Sequence, residues 1–295
     1  MTKRRFAWLL ALFVFLPAAG VAGYYRLAPL LWYWRGIPAD APGSLRLAEY
    51  RVTLEARPIE GLAANASALT YNWRTDTLFT TTNRPPRIVE LTRDGEVVRA
   101  LPVDGIDDLE GITHIDGALF AIIDERKQRI HRVAIEADTA RVDVKDAPCL
   151  GLDILQNGNL GLEGITWDER RHRLFVAKEK NPRVFEIDGL TPLMDGGKMN
   201  LLIREWQPRQ PFRHFLRDLS SLSRDDRTGH LLLLSDESRL LAEYGADGEL
   251  LGLMPLWRGF HGLAANVPQA EGVAVGRDGT IYLISEPNLF YRFER

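Results

Sequence analysis

Between residues 159 and 187 the chain reads NLGLEGITWDERRHRLFVAKEKNPRVFEI, with short runs of alternating apolar and polar residues separated by polar links. Glu163, Gly164, Ile165 and Thr166 open the unit, a charged turn spans Asp168 to His172, and Leu174 to Ala177 lead to Glu179. Val184 to Ile187 close it after a Pro-containing turn. Alternation with period two in runs this short predicts strands, and tight polar links predict an antiparallel meander.

The unit recurs. Copies start at Ser67, Glu110, Glu163, Ser220 and Glu271, separated by 43, 53, 57 and 51 residues. A period near fifty with three or four strands per copy predicts a β-propeller. A parallel β-helix would need a much shorter period, and an immunoglobulin-like array about twice this length. Five copies give five blades, with six as the alternative if one blade has lost its motif. The stretch from Gly189 to Arg217, with Pro192, Pro208 and Pro211, departs most from the repeat and reads as an extended loop on one face. The last copy runs to the end with three strand-like segments, so its outer strand must come from elsewhere. Leu45 to Leu54 supply it, closing the ring and removing an exposed edge. Asp94-Gly95, Asp247-Gly248 and Asp278-Gly279 fall where hairpins must turn. The fold class is therefore all-β, a five-bladed β-propeller over residues 45–295.

The N-terminus has a different pattern. Lys3, Arg4 and Arg5 precede an apolar or small-residue run from Phe6 to Tyr25. Twenty residues at helical rise span ~30 Å, the thickness of a bilayer core, so a transmembrane helix is expected. Basic residues before the span favour a cytoplasmic N-terminus and export of the chain beyond it. A cleaved signal peptide is the rival, with Phe6 to Leu16 as its apolar region and Ala18-Ala19-Gly20 as the cleavage site. Tyr24, Tyr25, Trp32, Tyr33 and Trp34, mixed with Arg26 and Arg35, suit an interfacial belt and favour a retained anchor. Residues 1–35 thus read as a membrane anchor and 36–44 as a linker.

Formal net charge is −3, which gives no pull towards nucleic acid. Cys149 is the single cysteine, so an intramolecular disulfide is excluded. The six histidines neither recur in register nor form a ligand spacing.

Two positions do recur in register. One reads Ser67, Glu110, Glu163, Ser220 and Glu271; the other reads Asn83, Asp124, Glu179, Asp236 and Glu286. The innermost strand of each blade lines the central channel, so Glu110, Glu163 and Glu271 are expected to form an axial ring. The second set would lie beside it as further or alternative ligands. Converging carboxylates raise one another's pKa, and a divalent cation relieves that repulsion. Oxygen-only donors match a hard cation, Ca²⁺ before Mg²⁺. The competing reading makes the Glu-Gly steps architectural, with Gly permitting close backbone approach. In Lys178-Glu179-Lys180 a lysine stands beside the channel carboxylates, where it would pair with Glu163 or an anionic ligand.

The motifs LEGIT at 109–113 and 162–166, LFVAKEKNP at 174–182, LLLLSDESRLL at 231–241 and PQAEGVAVGRDGTIYLISEPNLFYRF at 268–293 resemble those of the SdiA-regulated (YjiK-like) family of bacterial proteins. The resemblance implies a five-bladed propeller, an envelope location with an N-terminal membrane segment, and a calcium site. It brings no established reaction. The expectation is a monomeric propeller in the periplasm, held by a single pass in the bacterial inner membrane. It binds a small ligand or envelope protein at its channel mouth, with Ca²⁺. The alternative is a calcium-dependent hydrolase of lactonase or phosphoesterase type.

Overall fold

The computed structural model describes residues 3–38, 41–62, 64–152, 161–190 and 200–295; in the first helix, side chains 3–12 and 14 lie outside that set. Two helices come first, α1 (Lys3–Tyr24) and α2 (Leu27–Arg35), then a 3-10 turn at Leu47–Glu49. Strand β1 is Arg51–Pro58. Blade 1 holds β2 (Ala66–Asn72), β3 (Thr77–Asn83), β4 (Pro86–Leu91) and β5 (Val97–Asp104). Blade 2 holds β6 (Leu109–Asp116), β7 (Leu119–Asp124) and β8 (Arg129–Ala134). The short β9 (Val142–Asp143) then runs parallel to β5, and β10 (Cys149–Gly151) completes blade 2. Blade 3 comprises β11 (Leu162–Asp168), β12 (Arg173–Lys178), β13 (Arg183–Asp188) and β14 (Leu202–Glu205). Blade 4 comprises β15 (Ser221–Arg224), β16 (Leu231–Ser235), β17 (Leu240–Tyr244) and β18 (Leu250–Pro255). Blade 5 comprises β19 (Ala270–Val275), β20 (Ile281–Ser285) and β21 (Leu289–Glu294), with β1 on its outside.

The innermost strands β2, β6, β11, β15 and β19 pack side by side around one axis. The protein is an all-β five-bladed propeller. Each blade is sandwiched between two others, which explains a strand without alternation. In Leu231–Leu234, Leu231 and Leu233 join the apolar cluster shared with blade 3, while Leu232 and Leu234 join the one shared with blade 5. Both faces are buried, so both carry leucine. One such cluster fills every blade interface.

Ring closure works by the expected route, shifted in sequence. β1 pairs antiparallel with β21, from Arg51 opposite Glu294 to Pro58 opposite Leu289. Pairing thus begins at Arg51, because residues 44–50 are used otherwise. The backbone N–H of Leu45 and the Ser44 hydroxyl donate to the fully buried Glu243, at 2.7 and 2.9 Å, and His230 Nδ1 lies 2.7 Å from the same carboxylate. The three Asp-Gly turns form as expected. Gly95, Gly248 and Gly279 have φ of 79°, 78° and 87°, the left-handed region that glycine enters without a Cβ penalty.

Two expectations change. The Gly189–Arg217 stretch is not one loop: Leu202–Glu205 is the fourth strand of blade 3, and residues 191–199 lie outside the described set. The transmembrane helix is not supported either. Among the described residues, no helix is long and apolar enough to cross a membrane.

Nor are all the aromatics of the expected belt free: Tyr25 and Tyr33 pack on the propeller, while Trp32 stays exposed. Leu30, Tyr33 and Ile37 pack on the cluster between blades 3 and 4, and Tyr25 lies edge-on to Trp257 at 4.7 Å. The Arg26 guanidinium donates to the carbonyls of Arg213 and Leu216, and the Tyr33 hydroxyl lies 2.7 Å from His214 Nδ1.

Candidate metal and ligand site at the acidic channel mouth

The Glu-Gly steps are β-bulges. Leu109 pairs with Asp124 and Gly111 with Ile123, leaving Glu110 as the extra residue; Glu163 and Glu271 occupy the same position in β11 and β19. An extra residue kinks the strand and re-aims its side chain. The glycine next to it is architectural. A Cβ on Gly164 would stand 2.9 Å from the Leu222 backbone nitrogen, and one on Gly272 would stand 2.7 Å from the Ala68 carbonyl carbon. Each dipeptide therefore combines both readings: glycine admits the next blade, and glutamate faces its counterparts at one end of the channel.

The second set is shifted by one residue in blade 2. Thr82 pairs with Ala66, Asp124 with Leu109, Lys178 with Leu162 and Ser285 with Ala270. The next residues along these strands are Asn83, Glu125, Glu179 and Glu286, so Glu125 takes the place expected of Asp124. Asp124 is fully buried, and its carboxylate accepts the Lys127 backbone N–H at 3.2 Å.

The structure brings Glu110 together with Asp108 and Glu125, whose ligand oxygens lie within 4.8 Å of one another. The in-register positions include neither Asp108 nor Glu125. A signal existed for Asp108: an aspartate recurs two residues before the first position in Asp218 of blade 4. Asn83 Nδ2 donates to Glu110 Oε1 at 2.7 Å, while Asn83 Oδ1 is buried without a hydrogen-bond partner.

Burial and mutual repulsion dominate the electrostatics. Burial, then the charges of Glu179, Glu271, Glu110 and Glu125, drive Glu163 far above the usual carboxylate range. Burial first, offset by Gln269 and reinforced by Asp236 and Glu286, pushes Glu271 up to about 8. Glu125 rises to about 7 through burial and the nearby Glu110, Asp108 and Glu179. Asp236, half-buried and close to Asp218, rises to about 6 and accepts the Ala270 N–H at 3.3 Å. Burial also raises Glu110, Glu286 and Asp218. Lys180 does not serve Glu163. Its ammonium bridges Glu179 at 2.6 Å and Glu237 at 2.9 Å, and Glu237 also holds Arg217 at 3.1 Å. The Arg217 guanidinium in turn lies 3.5 Å from the ring centroid of Tyr24, at the end of α1.

The far end of the same strands carries other groups. Thr70, Thr113 and Thr166 accept the backbone N–H of His114, Trp167 and Arg224 of the next blade, at 3.1, 3.2 and 3.1 Å. These hydroxyls stand at the fourth position of the SALT and EGIT motifs, an in-register signal the sequence displays. With Ser223, Trp73 and Asp226 they line a polar cavity of about 30 Å³, room for one or two waters. Arg224 closes it, ion-paired to the buried Asp168 at 3.1 Å and to Asp226 at 3.0 Å.

The SdiA-regulated family matches residues 43–294. The chain belongs to that family. Among solved structures it is similar to the glutaminyl cyclase of Myxococcus xanthus, with 13% identity, 83% of this chain and 95% of that one covered, and a TM-score of 0.57. It is also similar to a luciferin-regenerating enzyme, with 12% identity, coverage of 82% and 95%, and a TM-score of 0.51. At such identities the likeness extends to the propeller fold alone.

Proposed function

We propose that this member of the SdiA-regulated family binds a divalent cation at its acidic channel mouth and engages a small ligand or envelope partner there. One observation carries the reading: Asp108, Glu110 and Glu125 of blade 2 meet where burial and neighbouring carboxylates, some of them on other blades, hold the pKa values of Glu110 and Glu125 up. Such a cluster is relieved either by protons or by a cation. Asp108, Glu110 and Glu125 would hold it, and the unpartnered Asn83 Oδ1 offers a further oxygen. Glu163, Glu271, Glu179, Asp236 and Glu286 surround them. An all-oxygen donor set with several carboxylates suits Ca²⁺. When bound, the ion would neutralise the mouth and polarise an oxygen of an incoming ligand.

The location is part of the same proposal. Lys3, Arg4 and Arg5 precede an apolar segment, and Phe13, Phe15, Leu16 and Trp32 are exposed at 77, 70, 59 and 78%. Such residues suit association with the bacterial inner membrane, the propeller working as a monomer on its periplasmic side. Calorimetric titration of the full chain with CaCl₂ tests the metal reading. Saturable heat that is lost in Glu110→Gln supports it, and the absence of heat at millimolar calcium refutes it.

A hydrolase reading is kept alive by Glu125. A carboxyl group near pH 7 beside a cation-binding cluster is suited to general acid–base work, and two similar propellers are named as enzymes. Hydrolysis of a lactone or phosphoester that disappears in Glu125→Gln would establish this reading; a silent panel would leave binding alone.

A further inference from the structure

Strand β18, LLGLMP, is the outermost strand of blade 4, and all six of its residues are buried. An outer blade strand ordinarily shows one edge to solvent; here α2 and residues 44–50 cover it. The cover is not tight. A cavity of about 260 Å³ separates it from the strand. An apolar cavity of ~150 Å³ already holds benzene, and small-molecule pockets begin near ~300 Å³. The space is therefore large enough for part of a ligand.

Its walls divide by chemistry. Trp34, Ile37 and Pro38 face it from the helix side, and Leu251 and Leu253 from β18. Ser44, Arg46 and Glu49 supply the polar wall. Ser44 is already committed to Glu243 and to the Arg46 backbone N–H. Arg46 and Glu49 are not: they form a loose 3.5 Å pair with side chains 64% and 52% exposed, an arrangement that contributes little by itself. A cation and an anion at one rim complement a zwitterion, and the aliphatic wall behind them complements a chain. Leu31 and Trp32, the outward face of the same helix, are 58% and 78% exposed.

We propose that this cavity binds a single-chain zwitterionic amphiphile. Its alkyl chain lies between Trp34 and Leu251/Leu253, its phosphate faces Arg46 and its ammonium faces Glu49. The site uses no residue of the acidic mouth and stands whether or not a cation binds there.

The test uses full-length protein in phosphatidylcholine vesicles, with added lysophosphatidylcholine carrying a diazirine at mid-chain, then irradiation and peptide mapping. Adducts on Trp34, Leu251 or Leu253, removed by excess unlabelled lysophosphatidylcholine, are expected. Ala48→Trp, which fills the cavity from an exposed position, should abolish them, while adducts on α1 persist and the thermal midpoint is unchanged. Arg46→Glu should weaken competition by the zwitterion. Adducts confined to α1, Leu31 and Trp32 would show general lipid contact and overturn the proposal. So would cavity adducts that resist competition or survive Ala48→Trp. Should Ala48→Trp fail to fold, competition in the unaltered protein still decides between saturable and non-saturable labelling.

Discussion

At one end of the innermost strands, Glu110, Glu163 and Glu271 stand in bulges and face like charges; at the other, Thr70, Thr113 and Thr166 accept backbone N–H groups from the next blade. The same strands and the same repeat build both ends. At the hydroxyl end the three threonines bond the next blade, and the charge of the buried Arg224 is matched by Asp168 and Asp226. At the carboxylate end burial outruns pairing. Lys180 and Arg217 satisfy Glu179 and Glu237, while Glu163 and Glu271 stay strongly perturbed. A polar cluster that satisfies itself holds a fold together; one that does not is poised for something from outside. The first should fail by unfolding when altered, the second by losing its response to an ion.

The largest effect is expected at the hydroxyl end. Arg224→Ala leaves Asp168 charged and buried, a loss on the order of 3–5 kcal/mol. Thermal unfolding should fall by roughly 2–4 °C per kcal/mol for a domain of this size, while calcium still raises whatever midpoint remains. Next comes the ion response. Calcium at a hundredfold over its Kd stabilises by ~2.7 kcal/mol, and Glu110→Gln should erase that shift in a thermal melt. Glu163→Gln separates the two ligand sets: loss of the shift favours the ring with Glu271, and its retention favours Asp108, Glu110 and Glu125. Thr113→Val should cost ~1–3 kcal/mol by leaving the Trp167 N–H unsatisfied, with the calcium shift intact. Loss of the calcium shift in that variant would break the division between the two ends.

The smallest effect is the dependence on pH. Glu125 and Glu271 have folded-state pKa values raised to about 7 and about 8. The folded protein therefore binds more protons than the unfolded chain, and stability without metal falls as pH rises through these values. Protons compete with the cation, so the calcium shift should grow between pH 5 and pH 8. Melts at both pH values, with calcium and with chelator, check both signs.

How much of this is legible in the sequence differs between the two ends. The recurrence of Glu-Gly locates the acidic mouth, since one residue type at a fixed place in each repeat must end at one height on the axis. It misplaces one carboxylate. The in-register reading takes Asp124, fourteen residues after Glu110 where the other copies have fifteen or sixteen, and the pairing of Leu109 with Asp124 shows that Glu125 is the equivalent. Asp108 lies before β6, where no alternation marks it. The hydroxyl end goes unread although its threonines recur in register, because threonine in a strand ordinarily signals β-propensity and its bond to the next blade joins residues far apart in sequence.

The sequence by itself determined the three inner strands of each blade, the five-fold repeat, the turns at Asp-Gly and the need for an N-terminal strand to close the ring, because these rest on local periodicity and on an unpaired edge. Tertiary structure alone decided which carboxylates meet, which of them keep a partner, and that α2 covers blade 4. Those outcomes depend on how strands pair and on which distant segments pack together, and on how far burial at the mouth outweighs the charges brought to balance it.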